Sequence, residues 1–190
     1  LHGFRSSPLS VKAQAMVRAV AALPAHERPA LFVPDLGDRP AAAIRKVVEI
    51  VARERRPDAT LTFVGSSLGG YYATHLAEKH GLRAVLVNPA VVAHLSLAEF
   101  VGPQTNLYSG EAFDFKPDYI EELRALEVPR ISRPLDFLLL AETGDEVLDY
   151  REAVAKYAGC RQVVLPGGDH SFTRWDEYLD TVLEFAGLIP

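Results

Sequence analysis

The stretch Gly65-Ser66-Ser67-Leu68-Gly69 constrains this chain more than any other. It follows the apolar run Leu61-Thr62-Phe63-Val64 and opens into a helical pattern over Tyr71–Lys79, so the chain must turn sharply from strand to helix. In a G-x-S-x-G turn of this kind the serine takes a strained backbone conformation, and its neighbours leave no room for a Cβ. Gly65 and Gly69 fill those two places, and Gly70 lets the start of the helix approach the sheet. Such a turn exposes one hydroxyl above the strand end, which makes Ser67 the candidate nucleophile. Ser66 holds the variable place and reads as a small turn filler. The pentapeptide alone is a weak pattern; the strand–turn–helix context raises it above an ordinary loop.

A hydroxyl needs a base to become nucleophilic at neutral pH, and the base needs an acid to orient it. In α/β-hydrolases the serine is followed by the carboxylate and then the histidine, each on a loop after a strand. Phe137-Leu138-Leu139-Leu140 is a short apolar run, as expected of a strand buried on both faces, and it leads into Ala141-Glu142-Thr143-Gly144-Asp145. Asp145 is the acid candidate, with Glu146 and Asp149 as alternatives close behind it. Gln162-Val163-Val164-Leu165 is the next strand and leads into Pro166-Gly167-Gly168-Asp169-His170. Of the six histidines only His170 combines the right order with a glycine-rich loop after a strand, so it is the base candidate. Asp169 reads as a surface aspartate. Asn88 also follows a strand but cannot act as a carboxylate.

The chain begins Leu1-His2-Gly3-Phe4. A strand-end His-Gly followed by a large residue suits a loop that donates a backbone N–H to an oxyanion, here from Phe4, while Leu68 after the nucleophile would donate the second. His2 precedes the serine, and its expected role is to hold that loop.

Five blocks in order, His2-Gly3-Phe4-Arg5-Ser6-Ser7-Pro8, Gly65–Thr74, Val87-Asn88-Pro89-Ala90, Thr143–Tyr150 and Gly167–Phe172, resemble the YqiA-like esterases, a family of small bacterial α/β-hydrolases. The resemblance spans nearly the whole chain. It implies a hydrolase of acyl esters or thioesters, with Ser67, Asp145 and His170 at the triad positions. Only Leu1 stands where a strand is expected before His2, and there is no initiator methionine, so the sequence reads as trimmed.

At 190 residues with 48% hydrophobic content, one α/β-hydrolase domain over 1–190 is expected, with a mostly parallel sheet covered by helices on both faces. Strands are expected at Leu31-Phe32-Val33, Leu61–Val64, Ala84–Val87, Phe137–Leu140 and Val163–Leu165. Helices are expected over residues 9–22, 40–56, 68–80, 117–127, 147–158 and 174–186, with Gly81 capping the third. Ile44, Val47, Val48 and Val51 fall on one face of the second helix and Arg45, Lys46 and Glu49 on the other. Residues 91–116 break the alternation. Their apolar residues suit either a lid over an acyl pocket or a loop packed on the sheet edge. Tyr71 is a candidate for the pocket edge, with core packing as its alternative.

A formal net charge of −5 gives no general attraction to nucleic acid, and no apolar run approaches the ~18 residues of a membrane span. Arg53-Glu54-Arg55-Arg56 reads as helix-end capping. A single cysteine, Cys160, excludes an intrachain disulfide and fits a cytoplasmic protein, and Cys160 reads as a packed thiol. The sequence offers no metal-ligand spacing, Walker loop or dinucleotide fingerprint, so no cofactor or metal is expected. The expected partner is a small acyl ester or thioester, the expected assembly a monomer or small homo-oligomer. A peptidase, a lactonase and a non-catalytic binding protein remain the rival readings.

Overall fold

The computed structural model describes residues 1–56 and 58–190. Its strands are β1 (Thr62–Ser66), β2 (Arg83–Val87), β3 (Gly102–Thr105), β4 (Ala112–Phe115), β5 (Phe137–Glu142) and β6 (Arg161–Leu165). Four of them form a parallel sheet in the order β1-β2-β5-β6, while β3 and β4 form a separate antiparallel pair. Parallel neighbours need a crossover, and α3 (Leu68–His80) supplies the one from β1 to β2. That helix ends at Gly81, whose left-handed φ of 67° turns the chain toward β2.

The two central strands are apolar over Ala84–Val87 and Phe137–Ala141, because helices cover both faces. Along β2 and β5 successive side chains alternate between two cores. Ala84, Leu86, Phe137, Leu139 and Ala141 join one, and Val85, Val87, Leu138 and Leu140 join the other. The first core is covered by α2 (Pro40–Glu54), α3, α5 (Pro117–Ala125) and α6 (Tyr150–Lys156). The second is covered by α1 (Val11–Ala22), α7 (Leu179–Phe185) and the Phe172–Trp175 turn. Each of the three fully buried leucines of β5 contributes about 1.5–3 kcal/mol. Trp175 is buried edge-on against Phe172, and its indole N–H donates to the Lys12 carbonyl at 3.1 Å.

Three expectations change, one of them the helix over 174–186, which opens as a 3₁₀ turn at Trp175–Tyr178 before α7. Leu31-Phe32-Val33 joins no ladder, and Phe32 is 44% exposed. That segment is not hydrogen-bonded to β1. The outer edge of β1 is met near its end by Leu1, whose amino group donates to Val64 O and whose carbonyl accepts from Ser66 N. The expected helix over 147–158 begins at Tyr150 instead, because Asp149 caps it by accepting the Arg151 N–H.

Residues 91–116 fold as a short helix, α4 (Ala93–Ser96), a 3₁₀ turn at Ala98–Phe100, and the β3–β4 hairpin. Phe100, Phe113 and Phe115 of this segment pack edge-on around Phe4, with ring centroids 5.7, 5.9 and 4.9 Å away. Most of its aromatic residues are therefore packing, and only the hairpin tip at Leu107 and Tyr108 reaches a cavity.

Candidate active site

Ser67 sits between β1 and α3 with φ 56° and ψ −123°. Its N–H donates to Val87 O at 3.0 Å, and its carbonyl accepts from the N–H groups of Gly70 and Ala90. A non-glycine residue holds such a φ only when its surroundings over-determine it. The glycines explain the tightness of the turn. A Cβ at Gly65 would run into the Gly69 carbonyl, and one at Gly69 into the Leu1 carbonyl.

β5 and β6 end side by side, and the loops that follow them are joined. Thr143 N donates to Leu165 O at 2.9 Å, Gly144 N to Gly167 O at 2.8 Å, and Gly167 N to Thr143 Oγ1 at 2.9 Å. This brings Asp145 and His170 together above the sheet. His170 Nδ1 donates to Asp145 Oδ2 at 2.9 Å, which leaves Nε2 as an acceptor for the Ser67 hydroxyl at 3.0 Å. The Asp145 side chain is 2% exposed and that of His170 21%. Asp145 Oδ1 also accepts the N–H groups of Val147 and Leu148, at 2.9 and 2.8 Å, which fixes the carboxylate in place.

The alternative acids are occupied elsewhere. Glu146 accepts the His170 backbone N–H, and that hydrogen bond holds its carboxyl below the usual range. Asp149 is paired with Arg151, which lowers its carboxyl as well.

His2 is buried, accepts the Leu36 N–H at Nε2 and donates from Nδ1 to Gly3 O, both at 3.0 Å. Burial pushes its pKa down, in keeping with a neutral ring that holds the loop before Phe4. Gly3 lies against Ser67, and a Cβ there would be 3.2 Å from the serine Cβ. Among the described residues, neither the Phe4 nor the Leu68 N–H donates within the protein, so both are available to a bound oxygen. Tyr71 is not at the cleft. It is 3% exposed, and its hydroxyl donates to Leu123 O at 2.8 Å inside the core. Asp169 is half-buried rather than a surface group, with Oδ1 enclosed. Cys160 is half-buried beside β6, where burial pushes its thiol up to about 11.

The cavity onto which Ser67 and His170 open is also lined by Val11, Lys12, Leu107 and Tyr108. The hairpin tip is tied to the loop after Phe4 through Leu107 N to Arg5 O at 2.8 Å, Asn106 Nδ2 to Ser6 O at 2.9 Å and Arg5 Nε to Thr105 O at 3.0 Å. Among the described residues no group of three His, Cys, Asp or Glu side chains could hold a metal ion, and no helix is long and apolar enough to cross a membrane.

The profile of the uncharacterised protein family UPF0227, the YqiA-like family, matches residues 1–187. The chain belongs to this family. Its fold is the α/β-hydrolase fold. The YqiA-like chain is similar to a protein from Agrobacterium vitis S4 assigned as a hydrolase, with 20% identity, a TM-score of 0.72, and coverage of 100% of this chain and 86% of that one. It is also similar to the esterase domain of a Rhodothermus marinus protein, at 19% identity and TM-score 0.68, covering 97% and 85%. Est1E from Butyrivibrio proteoclasticus with ferulic acid bound is similar at 15% identity and TM-score 0.66, again covering 97% and 85%.

Two residues of this YqiA-like chain escape a reading of its sequence. Asn88 follows β2 and Glu142 ends β5, and both side chains bond to the backbone around His170. Their partners lie 81 and 27 residues away along the chain, so no local pattern announces them.

Proposed function

We propose that the chain is a serine hydrolase of acyl esters or thioesters, working through Ser67, His170 and Asp145. The observation that supports this most is the unbroken hydrogen-bond relay from the Ser67 hydroxyl through the imidazole to a buried carboxylate. In this reading His170 Nε2 takes the hydroxyl proton as Ser67 Oγ attacks the acyl carbonyl carbon. The N–H groups of Phe4 and Leu68 receive the developing oxyanion, and Asp145 stabilises the charged imidazolium. The tetrahedral adduct collapses, and His170 hands its proton to the departing alcohol or thiol. Water then attacks the acyl-enzyme with His170 again as base, releasing the acid and restoring Ser67. No metal or cofactor enters these steps.

The acyl group would occupy the mouth of the cavity against Val11, Leu107 and Tyr108. Above the strand ends the segment after β2 adds only a short helix and the β3–β4 hairpin rather than a large cap, so the acyl site is shallow. Short and medium acyl chains therefore fit better than long ones. That hydrolase and esterase folds resemble this one agrees with the reading, as does the carboxylic acid held by Est1E.

The deciding experiment is labelling with a fluorophosphonate followed by peptide mapping, together with a panel of p-nitrophenyl esters. The reading requires a covalent adduct on Ser67 and ester turnover. An adduct on another residue removes the mechanism, and no hydrolysis of any ester shifts the reading to a peptidase or a binding protein.

A further inference from the structure

The loop from Pro166 to Arg174 that carries His170 contains no regular element until its end, yet its base must stay within 3.0 Å of Ser67. Thr143 Oγ1, Glu146 and Lys12 each bond one backbone group of this loop, at Gly167 N–H, His170 N–H and Ser171 O, and Asn88, Glu142 and Arg174 hold it further. Asn88 is 3% exposed and has a left-handed φ of 39°. Its Nδ2 donates to Asp169 O at 2.9 Å and to His170 O at 3.2 Å, while its Oδ1 accepts the Glu142 N–H at 2.9 Å. Glu142 is fully buried, accepts the Asp169 N–H at Oε2 (2.9 Å), and accepts Arg174 Nε at Oε1 (2.7 Å). Arg174 in turn donates to Pro166 O at 3.0 Å. The loop wraps so closely here that a Cβ at Gly168 would occupy the place of the Glu142 carboxyl group.

The same short stretch also holds the nucleophile. Val87, just before Asn88, accepts the Ser67 N–H, and Ala90, just after Pro89, donates to the Ser67 carbonyl. Asn88 thus stands between the two anchors of the serine while its own amide grips the histidine loop. We propose that Asn88 and Glu142 are positioning residues, which fix the His170 loop relative to Ser67 through its backbone. The proposal rests on the serine-hydrolase reading for its kinetic consequence.

A buried carboxylate is costly unless it is paired and hydrogen-bonded. Glu142 has both kinds of partner, and both belong to the loop it holds. The Asn88 amide is fully used, with its donor side on two carbonyls of the loop and its acceptor side on β5. Misplacing a reacting group by about 1 Å can lower turnover by about 10².

The test compares Asn88→Ala, Glu142→Gln and Glu142→Ala with the parent chain. Fluorophosphonate titration counts competent sites, and ester turnover is divided by that count. Positioning predicts turnover per titrated site about 10² lower in Asn88→Ala, with KM changed less than about threefold, and a shifted or broadened low-field proton resonance for His170 Nδ1–H. Glu142→Gln keeps an acceptor for Asp169 N–H and should retain more turnover per site than Glu142→Ala, which keeps none. A purely structural role would lower the number of competent sites and leave turnover per site and the proton resonance at their parental values. That result, or equal turnover per site in the two Glu142 variants, overturns the proposal. If Asn88→Ala does not fold, the Glu142 pair decides. Failure of the parent to label at Ser67 instead overturns the hydrolase reading, and the His170 resonance then still tests the positioning.

Discussion

Ser67 combines a strained backbone, a hydroxyl at an open cleft and a base at 3.0 Å, three conditions that a packing residue does not need. Ser67→Ala should therefore abolish ester hydrolysis, with a loss of ~10⁴–10⁶ in turnover, while leaving the thermal unfolding midpoint close to the parent value. Near-normal turnover would require another nucleophile. The acid makes a sharper comparison, because three carboxylates crowd the same loop. Asp145→Asn should lower turnover by about 10⁴ by favouring the wrong imidazole tautomer, whereas Asp149→Asn should remain within roughly tenfold of the parent, since Asp149 faces Arg151 on the surface. The reverse ranking, measured as kcat on one ester, would move the acid to Asp149. These relay residues are legible in the sequence because each sits at a fixed place in a turn that follows an apolar strand. Asn88 and Glu142 are not, since their significance lies in backbone groups far along the chain, and an asparagine or glutamate at a strand end has no distinctive signature. Tyr71 misleads for a related reason: four residues after the nucleophile it lies near the cleft in sequence, but its side chain turns into the core.

At the level of elements, the strand ends bring Ser67, Asp145 and His170 together, and the β3–β4 hairpin lies beside them. Only the tip of that hairpin, Leu107 and Tyr108, borders the cleft. Rates on p-nitrophenyl esters from acetate to palmitate should peak at short or medium chains and decline gradually, because each methylene in an apolar pocket is worth only about 1–3 kcal/mol. Leu107→Ala should flatten the preference by raising KM for the medium esters alone. A maximum at palmitate would mean a deep tunnel or a mobile lid and would overturn the shallow-pocket reading. The hairpin itself is hard to see in the sequence: Gly102-Pro103-Gln104-Thr105 has no apolar alternation and carries a proline, which suits an edge strand at best. Leu31-Phe32-Val33 fails in the opposite sense. Its apolar run is strand-like, but a ladder needs a neighbour at about 4.8 Å, and that requirement is not written in the run.

Across the whole molecule, the parallel sheet and its two cores follow from apolar periodicity, so the architecture is legible where the site's supports are not. Buried His2 and half-buried His75 tie stability to pH. Burial holds both His2 and His75 below the usual histidine range. Their folded pKa values lie below the unfolded value of ~6.5, so the stability they support is complete above that pH and is lost as the pH falls through the depressed values. The unfolding midpoint should hold above about pH 6.5 and drop as the pH falls below it, and His75→Gln should make that drop shallower. A midpoint unchanged by pH over this range would contradict the assignment. The lone Trp175 gives the molecule a built-in optical reporter. It lies five residues beyond the catalytic histidine candidate, enclosed by Phe172 and bonded to the carbonyl of Lys12 in the first helix. Its emission should be blue-shifted in the native chain and move to the red when the segment behind His170 leaves the sheet. Because Ser67 and His170 are 103 residues apart, the site exists only when both ends of the sheet are assembled. Fluorescence and activity should accordingly be lost at one denaturant concentration, and a light signal that changes before activity would reveal a histidine arm that undocks on its own.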